Sequence, residues 1–243
     1  MEIKKRVKSI FTNKKSSNYD LLEGVQEHVK KIMTQDRIRN DVLHPAFIYL
    51  RAITNMINFQ QHQKAIVGYD SPDYDDICKG LTAGIDQYSE EIRIINLQKE
   101  DYFKFKLRNS PIITPIWNFN RISTNIACIG ENYMRMDGKP NSFMENESNH
   151  RIMYLYPLGI AVMMNGNHSV YSGLLKGEGE VTITQMIDLT PLVLNCSFHH
   201  KKGVYSNGYT PVYFELGMLF ELGKIFQQNK QIFPFHVKKY IKQ

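Results

Sequence analysis

The chain has 243 residues, a formal net charge of +6, 42% hydrophobic residues and 12% aromatic residues. This composition is ordinary for a globular protein and excludes a disordered chain, which would be poorer in apolar residues. No apolar run approaches the roughly 18 residues of a membrane span, and the first residues lack the apolar core of a signal peptide. Three widely separated cysteines favour a reducing compartment over a disulfide framework, so we predict a cytoplasmic protein without a membrane contact.

The first fifteen residues form a basic arm, with six lysine and arginine residues against one glutamate. An arm of this kind can contact nucleic acid or an acidic protein partner. It can equally be a solvated terminus without a binding role. We therefore predict nucleic acid as one candidate partner and leave the oligomeric state open.

Three helical patterns follow the arm, at residues 19–35, 44–63 and 71–97. Apolar residues recur every three or four positions in each of them, as an amphipathic helix requires. In the second helix, we assign four polar residues to the solvent-exposed face: Asn55, Asn58, Gln60 and Gln61. In the third, Ser71 is the predicted N-cap, Pro72 occupies the first turn, and the helix continues past Gly80 and Gly84. Residues 1–98 are thus predicted to form a helical lobe carrying the basic arm.

Residues 99–243 are predicted to form a second domain of mixed α and β character, which makes the fold α+β. Residues 99–109 alternate between apolar and basic side chains, which predicts a strand with a basic face. That face either protects a sheet edge from aggregation or meets a phosphate backbone. A strand at 111–117, a loop with a short helix at 118–130 and a polar loop at 131–150 are expected next.

The most informative stretch begins with an almost continuously apolar segment, residues 158–164, typical of a strand buried on both faces. Asn165 and Gly166 interrupt it, because glycine tolerates the positive φ of a sharp turn. Helical spacing of apolar residues then continues to Gly177, a predicted helix stop, and residues 180–189 read as a returning strand. An Asn-Gly pair is also typical of a β-hairpin, which is the competing interpretation.

A strand that enters a helix through such a turn leaves backbone N–H groups free at the helix N-terminus. These donors and the helix dipole favour an anion, most often a phosphate. Polar side chains surround the same point: Asn165, Asn167, His168 and Ser169. The plain alternative is a turn that only connects two elements.

The segment NGNHSVYSGLLKGEGEVTITQMIDL, residues 165–189, resembles the core motif of the ParB/sulfiredoxin-like superfamily. Asn165 to His168 match the first four positions of the D-G-H-H-R or G-N-H-R type of turn, and the helix, its glycine stop and the next strand follow in the same order. Ile112 to Ile116, followed by Arg121, is similar to the early strand of that superfamily. The resemblance implies a small α/β domain whose turn and helix N-terminus hold nucleotide phosphates.

From this resemblance we predict His168 as a catalytic general acid or base, with five phosphate-binding residues: Asn165, Gly166, Asn167, Ser169 and Arg121. The implied function is nucleotide or phosphate binding, with phosphoryl transfer or phosphodiester cleavage as reactions and a nucleoside triphosphate with Mg²⁺ as cofactor. Ser169 replaces the usual arginine, and the turn has no cysteine for reductase chemistry. Whether the protein is an enzyme is therefore left open. The alternative is a non-catalytic nucleic-acid- or protein-binding component of a phage, plasmid or defence system.

The remaining residues are predicted to form a strand at 192–198 and a last helix that Thr210 and Pro211 begin and that ends near Asn229. Cys196, His199 and His200 are metal-ligating residue types. A structural zinc site usually has four ligands in two close pairs, and the second pair is missing. We therefore predict no metal site.

Overall fold

The computed structural model describes residues 18–34, 43–86, 89–90 and 92–241. The predicted basic arm at residues 1–15 lies outside the described residues. The described part is an α+β fold with a helix near its C-terminus, as the sequence predicts. None of the helices in these ranges combines the length and the apolar character that crossing a bilayer requires.

The helices and strands follow each other in an irregular order along the chain. The α-helices are α1 (Asn18–Met33), α2 (Phe47–Val67), α3 (Tyr74–Leu81), α4 (Phe119–Cys128), α5 (Asn167–Lys176), α6 (Thr190–Asn195), α7 (Phe214–Gln227) and α8 (Phe235–Lys238). The strands are β1 (Arg93–Asn96), β2 (Phe103–Lys106), β3 (Ile112–Ile113), β4 (Gly130–Met134), β5 (Pro140–Asn141), β6 (Arg151–Tyr156), β7 (Ile160–Asn165), β8 (Glu180–Ile183), β9 (Gln185–Asp188), β10 (Phe198–His199) and β11 (Val204–Tyr205).

The largest sheet is mixed and has the strand order β1-β9-β6-β7-β3. The β1–β9 and β6–β7 pairs are antiparallel, whereas the β9–β6 and β7–β3 pairs are parallel. Strands β6 and β7 are central, and their residues 152–156 and 160–163 are buried. Burial of both faces explains why the chain is apolar over 158–164 without alternation.

Helices α2 and α7 pack against the turn between β6 and β7. Gly159 lies so close to Phe47 of α2 that a side chain there would overlap it. The rings of Phe47 and Phe226 stack with centroids 5.6 Å apart, which joins α2 to α7. Buried residues before and after position 98 thus belong to one hydrophobic cluster. The division into domains 1–98 and 99–243 stays a prediction.

The predicted third helix, 71–97, is wrong after Leu81 in the residues that the structure describes. Helix α3 ends at Leu81, because Ala83 and Gly84 adopt positive φ values of 55° and 81° that no right-handed helix can continue through. Residues 93–96 form β1 and pair with β9. The N-cap is Asp73 rather than Ser71, since the Asp73 carboxylate accepts a hydrogen bond from the amide of Asp76 at 2.9 Å.

Two later predictions also need correction. Residues 190–195 form helix α6, with Pro191 in its first turn, where the strand 192–198 is predicted. Short apolar runs do not distinguish a strand from a helix, and the proline favours the helix. Helix α7 begins at Phe214 after Tyr213 as N-cap, not at Thr210 and Pro211. The predicted polar loop at 131–150 contains most of a small antiparallel pair, β4 and β5.

The alternating segment at 99–109 forms strand β2 with the predicted two faces. Phe103 and Phe105 are buried, while Lys104 and Lys106 are exposed. Strand β2 pairs with β8 in a separate two-stranded sheet, and Lys104 forms an ion pair with Glu180 across it. One charge of the basic face therefore has an acidic partner within the chain.

Candidate functional site

The chain turns from β7 into α5 at Gly166, as the strand–turn–helix interpretation predicts. Gly166 is the N-cap with φ of 77°, and Gly177 ends the helix with φ of 69°. The hairpin interpretation is wrong, because residues 167–176 are helical. The returning strand is divided at Thr184 into β8 and β9, which belong to different sheets.

The N-terminus of α5 has no side-chain cap. The first-turn amides of Asn167, His168 and Ser169 have no acceptor inside the helix, because acceptors lie four residues earlier. The helix dipole adds a partial positive charge of about half an elementary charge at this end. The turn is thus electropositive although none of its own side chains is cationic.

A cavity of about 380 Å³ opens at this turn. The lining residues are Trp117, Asn120, Arg121, Thr124, Asn125, Asn149, Asn165, Gly166, Asn167, His168 and Ser169. All six residues that the sequence singled out are therefore brought together. The other lining residues come from α4, from Trp117 just before it and from the loop before β6.

Buried amides of α2 hold the chain that leads to the cavity. Asn58 Nδ2 donates to the carbonyl of Ile112 at 2.8 Å, and its Oδ1 accepts from the amide of Thr114 at 2.9 Å. Gln61 Oε1 accepts from the amide of Ile116 at 3.1 Å. The prediction that Asn58 and Gln61 face solvent is wrong, since both are buried. Their side chains make the backbone hydrogen bonds that a neighbouring strand would otherwise make beside β3.

Arg121 lies in the first turn of α4, not on the preceding strand with which the resemblance associates it. Asn118 caps this helix, because its Oδ1 accepts from the amide of Arg121 at 2.9 Å. The Arg121 guanidinium lies over the Trp117 ring, 4.9 Å from its centroid. Among the described residues, the Arg121 side chain has no acidic partner within ion-pair distance. Its charge at the cavity is therefore uncompensated.

His168 is held between α4 and Trp117. The amide of Asn118 donates to Nε2 of His168 at 3.2 Å. The rings of His168 and Trp117 pack edge to face with centroids 5.2 Å apart. Burial, and then the nearby charge of Arg121, lower the pKa of His168 to about 4. The imidazole is neutral near pH 7 and has no proton on Nε2. The predicted role as a general acid is not supported by this geometry.

Ser169 is part of a hydrogen-bond chain that begins in the loop before β6. The amide of Asn146 donates to His150 Nδ1 at 3.0 Å, which places the ring hydrogen of neutral His150 on Nε2. Nε2 then donates to Ser169 Oγ at 2.9 Å, and the hydroxyl donates to the carbonyl of Gly166 at 3.0 Å. This proton placement is the reverse of a serine nucleophile activated by a histidine base.

The same histidine explains why position 166 is glycine. A Cβ on Gly166 would overlap Cδ2 of His150. His150 is itself 8% exposed and stacks on Phe143 with ring centroids 5.3 Å apart. Burial lowers the pKa of His150, and Glu145 opposes this effect. The turn is therefore fixed from behind by a neutral, buried histidine.

Sequence reasoning missed several residues that shape the site: Trp117, Asn118, Asn120, Thr124, Asn125, Asn149 and His150. The one available signal was Trp117, the only tryptophan of the chain. It is half-exposed, whereas a large aromatic side chain is usually mostly buried. Asparagines in loops carry no comparable local signal.

No metal ligands gather at the site. Within the described residues, no three His, Cys, Asp or Glu side chains lie together so that they could hold an ion. The cavity lining includes amides, hydroxyls, one imidazole and one guanidinium, but no carboxylate. This set of groups suits an anion that carries hydrogen-bond acceptors.

Comparisons with known proteins identify the family of the chain. No curated protein matches it. No solved structure matches it either. A family model covers residues 7–233, which is nearly the whole chain. The chain therefore belongs to DUF6710, a family of unknown function.

Proposed function

We propose that the protein binds a phosphate-bearing ligand, most simply a nucleotide, in the cavity at the N-terminus of α5. One observation carries the proposal: an uncapped helix N-terminus borders the same cavity as Arg121, which has no acidic partner among the described residues. Backbone amides would bind phosphate oxygens, as they do at other helix N-termini. The guanidinium would add charge-assisted hydrogen bonds.

Trp117 supports this role of Arg121. Stacking over the indole ring restrains the guanidinium at a centroid distance of 4.9 Å and leaves its edge N–H groups available. A restrained arginine loses less conformational entropy on binding than a free one. The cavity is thus pre-organised for an anion.

The proposal is reversible binding and not phosphoryl transfer or phosphodiester cleavage by His168. A histidine with a pKa of about 4 is not an imidazolium acid near pH 7, and its Nε2 is no free base because it accepts from the amide of Asn118. The Ser169 hydroxyl already contacts His150 and the carbonyl of Gly166. Both groups are better explained as parts that hold the turn.

Kinship with the ParB/sulfiredoxin-like superfamily remains part of the proposal. Its support is the strand, glycine turn, short helix and glycine stop at residues 160–177, in the order that the motif requires. A cytoplasmic location is proposed with it. The thiols of Cys78, Cys128 and Cys196 are unpaired, which supports a reducing environment.

Isothermal titration with inorganic phosphate and a nucleotide panel tests the proposal. Arg121→Ala should weaken binding by about tenfold or more, because one charge-assisted contact is lost. Arg108→Ala is the matched control, since Arg108 is exposed and its Cβ is 3.6 Å from the Cβ position of Gly177, at the opposite end of α5. Equal losses in both variants, or no binding of any phosphate compound, would contradict the proposal.

A further inference from the structure

The charges at the cavity restrict the kind of phosphate that it can hold. Arg121 is the one formally charged residue among those that line it. His168 is neutral near pH 7 because its pKa is about 4, and burial also lowers the pKa of His150 behind the turn. With the partial charge of the helix N-terminus, the site presents roughly +1.5 elementary charges.

A phosphomonoester carries about −1.5 to −2 charges near pH 7. That charge nearly balances the site. A triphosphate brings further negative charge and usually binds with Mg²⁺, which protein carboxylates help to hold. The residues lining the cavity include no carboxylate and no lysine. The negative charge of a triphosphate would therefore be only partly neutralised in this cavity.

The rest of the cavity fits a neutral, polar group. Five of the lining side chains are amides that can both donate and accept: Asn120, Asn125, Asn149, Asn165 and Asn167. Asn167 lines the cavity and is only 8% exposed, and its Oδ1 has no hydrogen-bond partner among the residues that the structure describes. Buried polar groups are normally paired, so a ligand donor that reaches this oxygen after a rotation of the side chain would satisfy it. Sugar hydroxyls and base amino groups are such donors.

The size of the cavity points to one nucleotide unit. A volume of about 380 Å³ is near the lower end of ligand pockets, which run from about 300 to 1,000 Å³. Trp117 adds a half-exposed aromatic ring at its rim. An aromatic ring of this kind can contact the flat face of a base.

From these observations, and resting on the proposed function, we propose that the ligand is a nucleoside monophosphate bound without a metal ion. The phosphomonoester contacts the α5 amides and Arg121. The nucleoside lies among the asparagines and against Trp117. The ligand is recognised by hydrogen bonds and by the positive charge of Arg121 opposite the phosphate, without a bridging metal ion.

Titration calorimetry of the full chain with the four nucleoside monophosphates and their triphosphates tests this inference, with EDTA and with Mg²⁺. At least one monophosphate should bind about tenfold more tightly than its triphosphate, and Mg²⁺ should change its affinity by less than about twofold. Binding should strengthen from about pH 5 to pH 7, as the phosphate loses its second proton near pH 6. Arg121→Ala should weaken monophosphate binding by about tenfold, while Arg121→Lys retains part of it.

The outcomes separate this inference from the proposed function. A triphosphate with Mg²⁺ that binds about tenfold more tightly than any monophosphate would overturn the inference and leave phosphate binding intact. Ribose 5-phosphate binding as tightly as the best monophosphate would overturn the nucleoside part. No binding of any phosphate compound, inorganic phosphate included, would overturn both.

Discussion

The backbone amide of Asn118 donates a hydrogen bond to Nε2 of His168 at 3.2 Å. This bond joins the start of α4 to the first turn of α5, the two elements that carry Arg121 and the free amides. The bond is partly buried, and an N–H that loses its acceptor in such a place costs up to about 1–3 kcal/mol. His168 therefore positions the two sides of the cavity.

His168→Ala should lower the free energy of unfolding by about 1–3 kcal/mol and weaken phosphate binding, because Asn118 loses its acceptor. His168→Gln is the control, since its carbonyl oxygen can accept from the same amide. Urea unfolding followed by fluorescence of Trp117 gives the stability. Equal destabilisation by both substitutions would argue against the hydrogen bond as the cause.

Protonation of His168 should make stability depend on pH. Its pKa is about 4 in the folded chain against an ordinary value of 6.5, because burial and Arg121 disfavour the charged ring. The unfolded chain therefore takes up a proton at higher pH than the folded one. The contribution is fully present above pH 6.5 and is lost as pH falls from about 6.5 to about 4.

Urea unfolding between pH 7 and pH 4 measures this dependence, and His168→Gln should make it shallower. The variant keeps the contributions of His44, His62 and His150, whose pKa values are lowered mainly by burial. An NMR titration of the His168 ring with a midpoint near 6.5 would refute the assignment.

Gly166→Ala should destabilise the protein by about 2–4 kcal/mol, from a positive φ and from overlap with His150. Gly138→Ala is a matched control, because its φ is 75° and nothing lies within 4 Å of the added carbon. The control should cost only about 1 kcal/mol. Chemical denaturation of both variants compares the two values, and equal losses would exclude a role for His150.

Ser169→Ala should lower the free energy of unfolding by about 1–3 kcal/mol, since His150 Nε2 loses its acceptor. Phosphate affinity should change by less than about threefold, because the Ser169 amide and not its hydroxyl faces the ligand in our proposal. Calorimetry checks the second value. A loss of tenfold or more would assign the hydroxyl a direct role.

Asn58→Ala should destabilise the fold by about 2–4 kcal/mol, because the carbonyl of Ile112 and the amide of Thr114 both lose a buried partner. Asn55→Ala is the control on the same helix, since Asn55 is exposed. Its effect should stay within about 0.5 kcal/mol. Thermal unfolding of the two variants compares their losses of stability and so distinguishes a buried hydrogen-bonded side chain from a solvent-exposed one.

Local signals were sufficient for the turn at residues 165–177. A glycine with positive φ, helical spacing of apolar residues and a second glycine stop act over one or two turns of chain. The same reasoning failed for residues 82–97. There the positive φ of Ala83 ends the helix, and alanine gives no local signal for such a φ. Residues 93–96 instead pair with β9 in the sheet.

The amino-acid sequence alone determined the strand–turn–helix at Gly166 and the polar residues around it, because those depend on neighbours along the chain. The tertiary structure decided which residues from distant segments lie opposite this turn. Parallel pairing of β3 with β7 and the amides of α2 bring Trp117 and Arg121 to the turn. Burial beside Arg121 lowers the pKa of His168 to about 4, and a shift of that size arises only when distant segments exclude water together.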